Sequence, residues 1–485
     1  MTNGLRKRHL LLITILILAV AAGYYHYAKS TKRPAKMLVV GTNTPFPPFE
    51  FVANGTVTGF DIDAINAIAM RAGYDGITVN DMPFDSLILA LQEGQIDVIA
   101  SGMTITPDRQ QQVDFTLPYW EADQTILVRK GGGFNPQDMT DLAGKTIGVQ
   151  TGTTGAYLAQ ENNASLGPIK DHDTFLYAVL DLVNGRVDAV LVDSPVAAAF
   201  TSQYPVVASA TIRTGEQYGF AVRKGNTVLL NALNSALETF KGSPDWNVLL
   251  TKYFSNNQQS MNQNQQGLDP LQYIRYLLTG FYYTALLTAG GLLLGCGIGI
   301  SLAFAETCLP KGIRDLATAV DQVLRGIPLI VMFFLLYFSL PQVGITLAPG
   351  LAAAIGLGLR SGGYQSQIFR STLESIGTGQ TEAALSIGMN RFAAYRHVLL
   401  PQALRLSVPA WSNEFTIVLK DTSLAYALGV TELLKEAANI VALTLQPLGV
   451  YLIVAAIYFV ASTGINRTMN VLYVRWKIPG LGGGT

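Results

Sequence analysis

Two charged side chains lie where an α/β domain could bind a small ligand that carries both a positive and a negative charge. Arg109 follows SGMTIT, a strand-to-turn pattern with free backbone N–H groups, so its guanidinium can clamp a carboxylate through paired hydrogen bonds. Asp193 ends the apolar run VDAVLV, and ligand clefts in α/β sheets open where buried strands end. Because buried charges need partners, the pair suits a ligand with a carboxylate and an ammonium group. The alternative for each residue is an ordinary surface ion.

Enzymatic chemistry has little support in the sequence. The four histidines and two cysteines show no metal-ligand spacing, and no nucleophile elbow or isolated carboxylate pair is visible. The phosphate-binding pattern G-x(4)-G-K-[ST] does not occur. The net charge is zero and no basic stripe is present, which argues against nucleic acid as a partner. We therefore expect no catalytic residue, no metal and no cofactor bound by this chain.

The elements that position Arg109 and Asp193 follow an α/β pattern up to residue 254. Short apolar runs predict buried strands at 37–42, 96–102, 146–152 and 187–194. Amphipathic patterns predict helices at 61–74 and 84–94. The echo between LVRKG and AVRKG predicts crossings between two lobes near 124–130 and 218–224, although chance repetition is the alternative. We therefore predict a two-lobed α/β domain over 36–254.

The N-terminus predicts export of this domain. Three basic residues at 6–8 precede an apolar run over 10–22, which is typical of a signal peptide or a membrane anchor within residues 1–30. Cleavage and retention are equally open, because the run is short for a membrane span. The polar, uncharged segment over 255–271 predicts a flexible linker.

The second half predicts an all-α transmembrane domain over 272–478. Five core helices are expected at 277–304, 317–340, 347–368, 404–429 and 447–469. Lysine and arginine residues collect in the segment after the first span, in the insert after the third and in the C-terminal tail, whereas the loop at 341–350 is uncharged. Since such residues mark the cytoplasmic side, the first span is expected to enter from outside.

A polar stretch over 372–402 interrupts this apolar half on the predicted cytoplasmic side. We expect short helices at 382–387 and 391–400, separated at Gly388 and ended by Pro401. A helix–turn–helix with one apolar and one basic face suits the docking of a partner. A helix lying in the membrane interface is the alternative.

The stretch EAALSIG followed by LLPQAL resembles the EAA loop of ABC importer permeases. LRGIPLIVMFFLLYFSLP at 324–341 and SNEFTIVLKDTSLAYALGVTEL at 412–433 are similar to the polar amino acid branch of these permeases. The resemblance implies a type I importer permease whose polar stretch couples to a separate ATP-binding subunit. The implied coupling residues are Glu382, Ala383, Ala384, Gly388 and Pro401.

Two positions depart from that permease pattern. Gln367 stands where glutamate is usual, and Arg360 lies inside the predicted third span. An arginine within the membrane faces a cavity or a partner, because its charge is costly to expose to lipid. Arg360 could line the translocation path and meet the substrate carboxylate, or it could pair with a nearby acid or take a snorkelling position.

The exported half resembles the amino acid branch of the periplasmic binding proteins, which close two lobes around a ligand in the Venus flytrap manner. The similar segments are GTNTPFPPFEF at 41–51, GFDIDAINAIA at 59–69, SGMTITPDR at 101–109 and VLVDSP at 190–195. The resemblance implies that an amino acid carboxylate meets Arg109, Gly102 and Thr104. It places Asp193 at the ammonium group, supported by Thr153 or Thr154. Phe46 and Phe84 would enclose the side chain, although core packing explains them equally well.

Ligand preference depends on two amide residues. Asn43 stands where close relatives often carry aspartate, and Gln150 where some carry lysine. Two neutral amides favour a polar neutral side chain such as glutamine, with asparagine or histidine also open. A basic ligand such as arginine or lysine stays open because Glu50, Asp85 or Glu121 could approach it.

Together, the two resemblances imply a transport subunit, not an enzyme: a fused binding protein and permease of the polar amino acid ABC importer family (the His/Glu/Gln/Arg/opine permeases). Its expected place is the cytoplasmic (inner) membrane of a bacterium, multi-pass, with the binding domain outside. The implied partners are an amino acid, a homodimeric ABC ATPase that binds the ATP, a second permease copy and membrane lipid. The alternative is a ligand-gated ion channel of the ionotropic glutamate receptor type. In those channels, however, the pore interrupts the binding domain, and this chain lacks a T-V-G-Y-G filter.

Overall fold

The computed structural model describes residues 36–53, 55–255, 270–444 and 446–476. The predicted signal peptide or anchor and nearly all of the predicted linker lie outside the described residues. A two-lobed α/β head is followed by a helical second half, which confirms the predicted fold class.

The head is built from short strands and helices that alternate along the chain. Its strands are β1 (Met37–Thr42), β2 (Phe51–Ala53), β3 (Thr56–Thr58), β4 (Gly76–Asp81), β5 (Val98–Ile99), β6 (Val113–Phe115), β7 (Trp120–Arg129), β8 (Ile147–Gln150), β9 (Ile169–His172), β10 (Ala189–Asp193), β11 (Val206–Tyr218) and β12 (Ala221–Arg223). Its helices are α1 (Phe60–Arg71), α2 (Leu87–Gln92), α3 (Pro107–Gln112), α4 (Thr154–Glu161), α5 (Phe175–Val183), α6 (Ser194–Gln203), α7 (Thr227–Lys241) and α8 (Pro244–Leu250).

Each lobe contains one five-stranded sheet. The strand order is β4-β1-β5-β12-β6 in lobe 1 and β11-β7-β10-β8-β9 in lobe 2. In lobe 1, β1 runs parallel to both β4 and β5, so the residues that follow β1 and β5 meet at one sheet edge. In lobe 2, β10 runs parallel to β8, which brings Gln150 and Asp193 to the corresponding edge. The ligand cleft lies between these two edges, as expected for α/β sheets.

The chain crosses between the lobes at 116–119, between β6 and β7, and at 219–220, between β11 and β12. The first crossing predicted from sequence, at 124–130, is misplaced, because these residues lie on β7 and its following turn in lobe 2. There β7 pairs with β10 on one side and β11 on the other. The echo LVRKG therefore marks the end of a lobe 2 strand and not a hinge. The second crossing falls within the predicted 218–224.

The second half is helical throughout its described part. Its α-helices are α9 (Pro270–Cys308), α10 (Lys311–Gly326), α11 (Leu329–Phe334), α12 (Pro349–Ser375), α13 (Thr378–Ser386), α14 (Arg391–Ala394), α15 (Leu400–Leu406), α16 (Val408–Asp421), α17 (Leu433–Thr444) and α18 (Pro447–Trp476). A 3₁₀ segment, Thr422–Leu428, follows α16, and a π-helical segment, Tyr395–Leu399, joins α14 to α15.

Long apolar helices suited to a membrane are fewer than the five spans that we predict. Within the described residues, Tyr273–Cys308 and Pro447–Trp476 are long and apolar enough to cross a bilayer. The pair Lys311–Gly326 and Leu329–Val343 would make a third span, bent by 101°. The five-span topology therefore stays a prediction.

The polar stretch has the predicted break at Gly388, but its first helix begins at Thr378 and not at 382, and its second part also differs from the prediction. Gly388 has φ +87°, a conformation suited to glycine, and it separates α13 from α14. Pro401 does not end a helix, because it occupies the first turn of α15, where a proline needs no N–H donor. The π-helical turn before it adjusts the backbone, so helix continues from 391 to 406.

Lobe 1 packs directly on the helical half. Val39 and Met82 of the head share one apolar cluster with Phe333 and Leu428. Gln95 also donates a hydrogen bond from Nε2 to the carbonyl oxygen of Tyr337, at 2.9 Å. The head therefore rests against the helical half of its own chain.

Candidate functional site

A pocket between the two lobes is lined by the ligand-binding residues that the sequence predicts. Its lining includes all ten predicted ligand residues: Asn43, Phe46, Phe84, Gly102, Thr104, Arg109, Gln150, Thr153, Thr154 and Asp193. Three further residues line it, namely Glu50, Ser101 and Phe175. Lobe 1 and lobe 2 both contribute, so the pocket exists only when the lobes are together.

Direct hydrogen bonds join the lobes around this pocket. Gln150 donates from Nε2 to Oδ1 of Asn43 at 2.7 Å, and Arg109 donates from Nη2 to the carbonyl oxygen of Gly152 at 2.9 Å. Thr104 adds a third bond, from Oγ1 to Oε2 of Glu216 at 2.8 Å. The structure is thus the closed form of the two lobes.

Arg109 is held at the base of the cleft by its own backbone surroundings. Thr106 caps α3 by accepting the Arg109 N–H, and the Arg109 Nη1 donates to the carbonyl oxygen of Thr104 at 2.8 Å. The Phe84 ring lies 5.4 Å from the guanidinium carbon. Burial lowers the pKa of the guanidinium, which nevertheless stays charged because arginine does not deprotonate in proteins. A charged guanidinium with two amino groups near the pocket can bind a carboxylate.

Asp193 ends β10 and lies within a polar cluster of lobe 2. Its Oδ1 accepts from Gln124 Nε2 at 2.7 Å, and its Oδ2 accepts from the Tyr218 hydroxyl. Burial raises the Asp193 pKa to about 7, and the nearby Glu216 charge adds to the rise, whereas the bonds from Tyr218 and Gln124 lower it. An ammonium group here would favour the ionised form, so the site suits a cation.

Glu216, at the mouth of the cleft, contacts residues that line the pocket and is not predicted from the sequence. It accepts from Thr104 and Thr154 at Oε2 and from Gln124 at Oε1, with distances between 2.7 and 3.0 Å. It lies next to the second crossing, at the end of β11, where a register shift precedes it. An acid at the end of a strand was the signal used for Asp193, and the same signal applies to Glu216.

The backbone amide of Gly102 is not free for a ligand, contrary to our expectation for the segment SGMTIT. It donates to Oδ2 of Asp61 at 2.8 Å, and the Tyr119 hydroxyl donates to the same oxygen. Gly102 has φ +50°, and a Cβ there would lie 2.3 Å from Phe46 Cε1. Glycine is therefore required at this position by conformation and by packing.

The two threonines at the start of α4 have different partners. Thr153 caps the helix by accepting the Ala156 N–H and donates to the carbonyl oxygen of Gln150. Thr154 donates to Glu216. Both line the pocket, but their hydroxyl groups already serve the local structure.

Aromatic rings close one side of the pocket. Phe46 of lobe 1 faces Phe175 of lobe 2 with ring centroids 5.7 Å apart, and Phe46 also contacts Phe49 at 5.8 Å. Phe175 was not predicted and begins α5. Phe46 thus both packs in the core and lines the pocket, so the two alternatives for this residue are compatible.

Glu50 is the unexpected feature of the pocket wall. Its side chain is fully buried, and Ser101 donates to its Oε1 at 2.8 Å, whereas Oε2 has no hydrogen-bond partner among the described residues. Burial, together with the neighbouring Asp61 charge, holds the pKa of Glu50 well above its ordinary value. Asp85 lies instead on the exposed mouth of the cleft, and Glu121 does not line the pocket.

Four of the predicted coupling residues lie on α13 or in the turn after it, and the fifth, Pro401, is exposed in the first turn of α15. Glu382, Ala383 and Gly388 are exposed, and Ala384 is buried beneath them. Large apolar side chains beside them are also exposed, with Ile387 at 74% and Phe392 at 55%. Exposed apolar groups around a helical turn are typical of a docking surface.

Arg360 on α12 forms an ion pair with Asp421 at the end of α16, and its guanidinium also lies 4.9 Å from the Tyr364 ring centroid. Of the alternatives that the sequence leaves open for Arg360, the pair with a nearby acid is therefore present. Gln367, the other departure, donates to Oδ2 of buried Asp321 at 2.9 Å, where a glutamate would repel that carboxylate.

Comparisons with known proteins divide the chain in the same way as the fold. Residues 38–256 match the bacterial extracellular solute-binding proteins, family 3, and residues 295–477 match the binding-protein-dependent transport system inner membrane component. A probable histidine-binding protein of Neisseria gonorrhoeae is 36% identical over 234 residues, which cover 47% of this chain and 87% of that protein.

Two further relatives each match one half. ABC transporter arginine-binding protein 1 of Escherichia coli (strain K12) is 33% identical over 246 residues, covering 49% of this chain and 98% of that protein. A probable amino-acid permease protein of Bacillus subtilis (strain 168) is 43% identical over 165 residues, covering 33% of this chain and 74% of that protein. The ion-channel alternative gains no support from these matches.

Proposed function

This chain belongs to the polar amino acid ABC importers as a fused solute-binding protein and permease, and we propose that its head captures a cationic amino acid of the arginine type. The observation that carries the proposal is Glu50, a fully buried carboxylate on the pocket wall whose Oε2 has no described partner. A buried polar atom without a partner destabilises the closed head by about 1–3 kcal/mol, and a ligand donor would relieve this.

The charges that face the pocket favour a ligand with an extra positive group. An amino acid carboxylate neutralises Arg109, and its ammonium group neutralises Asp193. Glu50 then remains as an acid without a ligand partner. It is linked to Asn43 by the Ser101 hydroxyl, which donates to Glu50 and accepts the Asn43 N–H. A guanidinium or ammonium on the ligand side chain would ionise Glu50 and pair with it.

Glutamine, which the sequence favours, has weaker support from the geometry. The two amides on which that preference rests are already engaged, since Gln150 donates to Asn43 and to the Asp173 carbonyl oxygen, and Asn43 donates to the Met82 carbonyl oxygen. An arginine-binding and a histidine-binding relative agree with a basic ligand. Glutamine is therefore an outcome that the test must be able to detect.

We further propose that the captured amino acid moves inward by alternating access, powered by a separate homodimeric ABC ATPase that docks on the stretch over 372–402. The exposed apolar side chains of Leu385, Ile387 and Phe392 support this role. A second permease copy would complete the pore, and the head would face outward from a bacterial inner membrane, as the positive residues of the connecting segments favour.

Equilibrium binding to the full chain in lipid nanodiscs tests the ligand assignment. We expect arginine to bind at least tenfold tighter than glutamine. Glu50→Gln should lower the affinity for arginine roughly 100-fold and change the affinity for glutamine less than about threefold. Asp85→Asn is the matched control, because it removes an acid at the exposed mouth. Tighter binding of glutamine, or an equal loss in Asp85→Asn, would overturn the proposal.

A further inference from the structure

The end of strand β4 lies between the ligand pocket and the helical half of the chain. Asp81 is its last residue, and Oδ2 of this side chain accepts from Lys435 Nζ on α17 at 2.6 Å. The two residues are 354 positions apart in sequence. Their side chains are only 10% and 9% exposed, so this ion pair between head and permease is buried.

On the pocket side, the same carboxylate holds the loop that follows β1. Thr44 donates its N–H to Oδ1 of Asp81 at 3.0 Å and its hydroxyl to Oδ2. The preceding residue, Asn43, lines the ligand pocket and donates to the carbonyl oxygen of Met82, next to Asp81. One carboxylate therefore contacts both the ligand loop and the permease.

A second contact at Asp81 is independent of charge. Gly429 ends the 3₁₀ segment after α16 with φ +74°, and a Cβ on it would lie 2.6 Å from the Asp81 carbonyl oxygen. Real side chains do not approach an oxygen so closely, so the permease backbone reaches the head only because this residue is glycine. Lys435 is further enclosed by the Tyr426 ring, at 5.0 Å.

We propose that Asp81 and Lys435 form the coupling contact through which the permease senses the ligand loop of its own head. When the lobes close, the loop carrying Asn43 is fixed by its bond to Gln150, and Asp81 is fixed with it through Thr44. The carboxylate is then oriented for Lys435. Lys435 is a positioning residue, because it touches Asp81 and not the ligand.

The proposal concerns how transport is coupled and does not depend on which amino acid is bound. Charge removal at a buried pair leaves one ion unpaired, and such losses correspond to roughly 100-fold in an equilibrium constant. Weakening the contact should lower transport while the pocket, which Lys435 does not line, continues to bind ligand.

The test uses the full chain with its ATPase in proteoliposomes and a mixture of radiolabelled amino acids, so that the result does not depend on arginine. Lys435→Met should lower the maximal uptake rate at least tenfold and change label binding less than about threefold, whereas Lys435→Arg should keep at least a third of the rate. Lys224→Met is the matched control, since it breaks a lysine–aspartate pair within the head, with Asp114 at 2.8 Å.

Double substitution separates coupling from a merely structural role. Asp81→Asn combined with Lys435→Met should be no slower than the slower single variant, because both remove the same contact. Unchanged uptake in Lys435→Met, additive losses in the double variant, or loss of label binding together with uptake would each overturn the inference. An importer that moves some amino acid other than arginine would contradict only the ligand assignment.

Discussion

Gln150 of lobe 2 donates a hydrogen bond to Asn43 of lobe 1, with 2.7 Å between Nε2 and Oδ1. The two side chains are buried and lie at the carboxyl ends of parallel strands from the two sheets. Their contact explains why neither lobe alone contains the pocket. Because Asn43 also adjoins the segment that touches the permease, lobe closure and head docking share one part of the structure.

Removing this contact should favour the open head. We predict that Gln150→Ala weakens amino acid binding about three- to tenfold, since one neutral hydrogen bond contributes about 0.5–1.5 kcal/mol. The loss should appear mainly as faster ligand release, measured by displacement of a labelled amino acid from the full chain. Gln137→Ala, on the exposed surface of lobe 2, is the control. Equal release rates in the two variants would show that the contact does not hold the lobes closed.

Arg109 should be required for binding any amino acid. We predict that Arg109→Met lowers affinity at least 100-fold and that Arg109→Lys restores only a small part, because an ammonium cannot reproduce the paired donors of a guanidinium. Arg71→Met removes an exposed arginine, paired with Asp245 at 2.8 Å, and should leave affinity unchanged. Binding that survives Arg109→Met would remove this residue from the site.

Ligand affinity should rise with pH up to about neutrality. The pKa of Asp193 is raised to about 7, so this carboxyl group is largely protonated below that pH, whereas an ammonium ligand needs it ionised. Affinity should therefore fall up to about tenfold per pH unit below 7, until the pKa of the liganded state is reached. Ligand-binding titrations of the full chain at several pH values between about 5 and 8 measure this slope. Asp193→Asn should bind weakly and lose the part of this slope that Asp193 contributes, whereas the part that comes from Glu50, whose pKa is also raised by burial, should remain.

The raised pKa of Asp193 has the opposite effect on the stability of the ligand-free head, because its contribution to stability falls as pH rises. Between the ordinary carboxyl pKa and about 7, the folded state binds more protons than the unfolded state, so the Asp193 contribution to stability is present at low pH and is lost as pH rises through about 7. Thermal unfolding of ligand-free wild type and Asp193→Asn should diverge as pH rises. A constant difference would contradict the burial of an ionisable group there.

The exposed turn after α13 should be needed for transport and not for binding. We predict that Glu382→Arg or Gly388→Pro abolishes ATP-coupled uptake and leaves amino acid binding by the head unchanged, because neither residue lines the ligand pocket. Gly449→Ala, which lies outside the stretch over 372–402 and where an added Cβ meets nothing within 4 Å, is the control and should leave uptake unchanged. Loss of both activities would indicate misfolding and would contradict the coupling role.

The Arg360–Asp421 pair predicts a specific rescue. If the pair is structural, Arg360→Ala should lower the yield of folded chain, and adding Asp421→Ala should restore it in part, because the unpaired acid is then removed. Size-exclusion profiles of the purified variants measure this. If Arg360 instead binds the substrate in the translocation path, the double variant should stay folded but inactive in uptake.

The sequence points most directly to residues that line the pocket where charged side chains coincide with strand ends. Asp193 ends β10 and Arg109 comes after β5, and parallel pairing brings such positions to the edge of each sheet that faces the cleft, so the local pattern is sufficient to predict them. The amphipathic pattern of the polar stretch likewise predicts a break at Gly388, where the backbone needs a positive φ.

Other features depend on contacts that no local pattern contains. Asp81 and Lys435 meet only when two separate domains pack, and Glu216 reaches the cleft because β11 shifts its register. The predicted ending at Pro401 was wrong because a π-helical turn accommodates the proline. The crossing at 124–130 was misplaced because strand and hinge share the same apolar and polar pattern.

Accumulation of labelled arginine in proteoliposomes that contain the full chain and its ATPase is the most direct test of a single-chain capture-and-transport subunit. We predict uptake against a concentration gradient only with ATP, and none with Arg109→Met, because this substitution removes the proposed partner of the ligand carboxylate. Arginine flux without ATP, or undiminished uptake by Arg109→Met, would contradict the assignment.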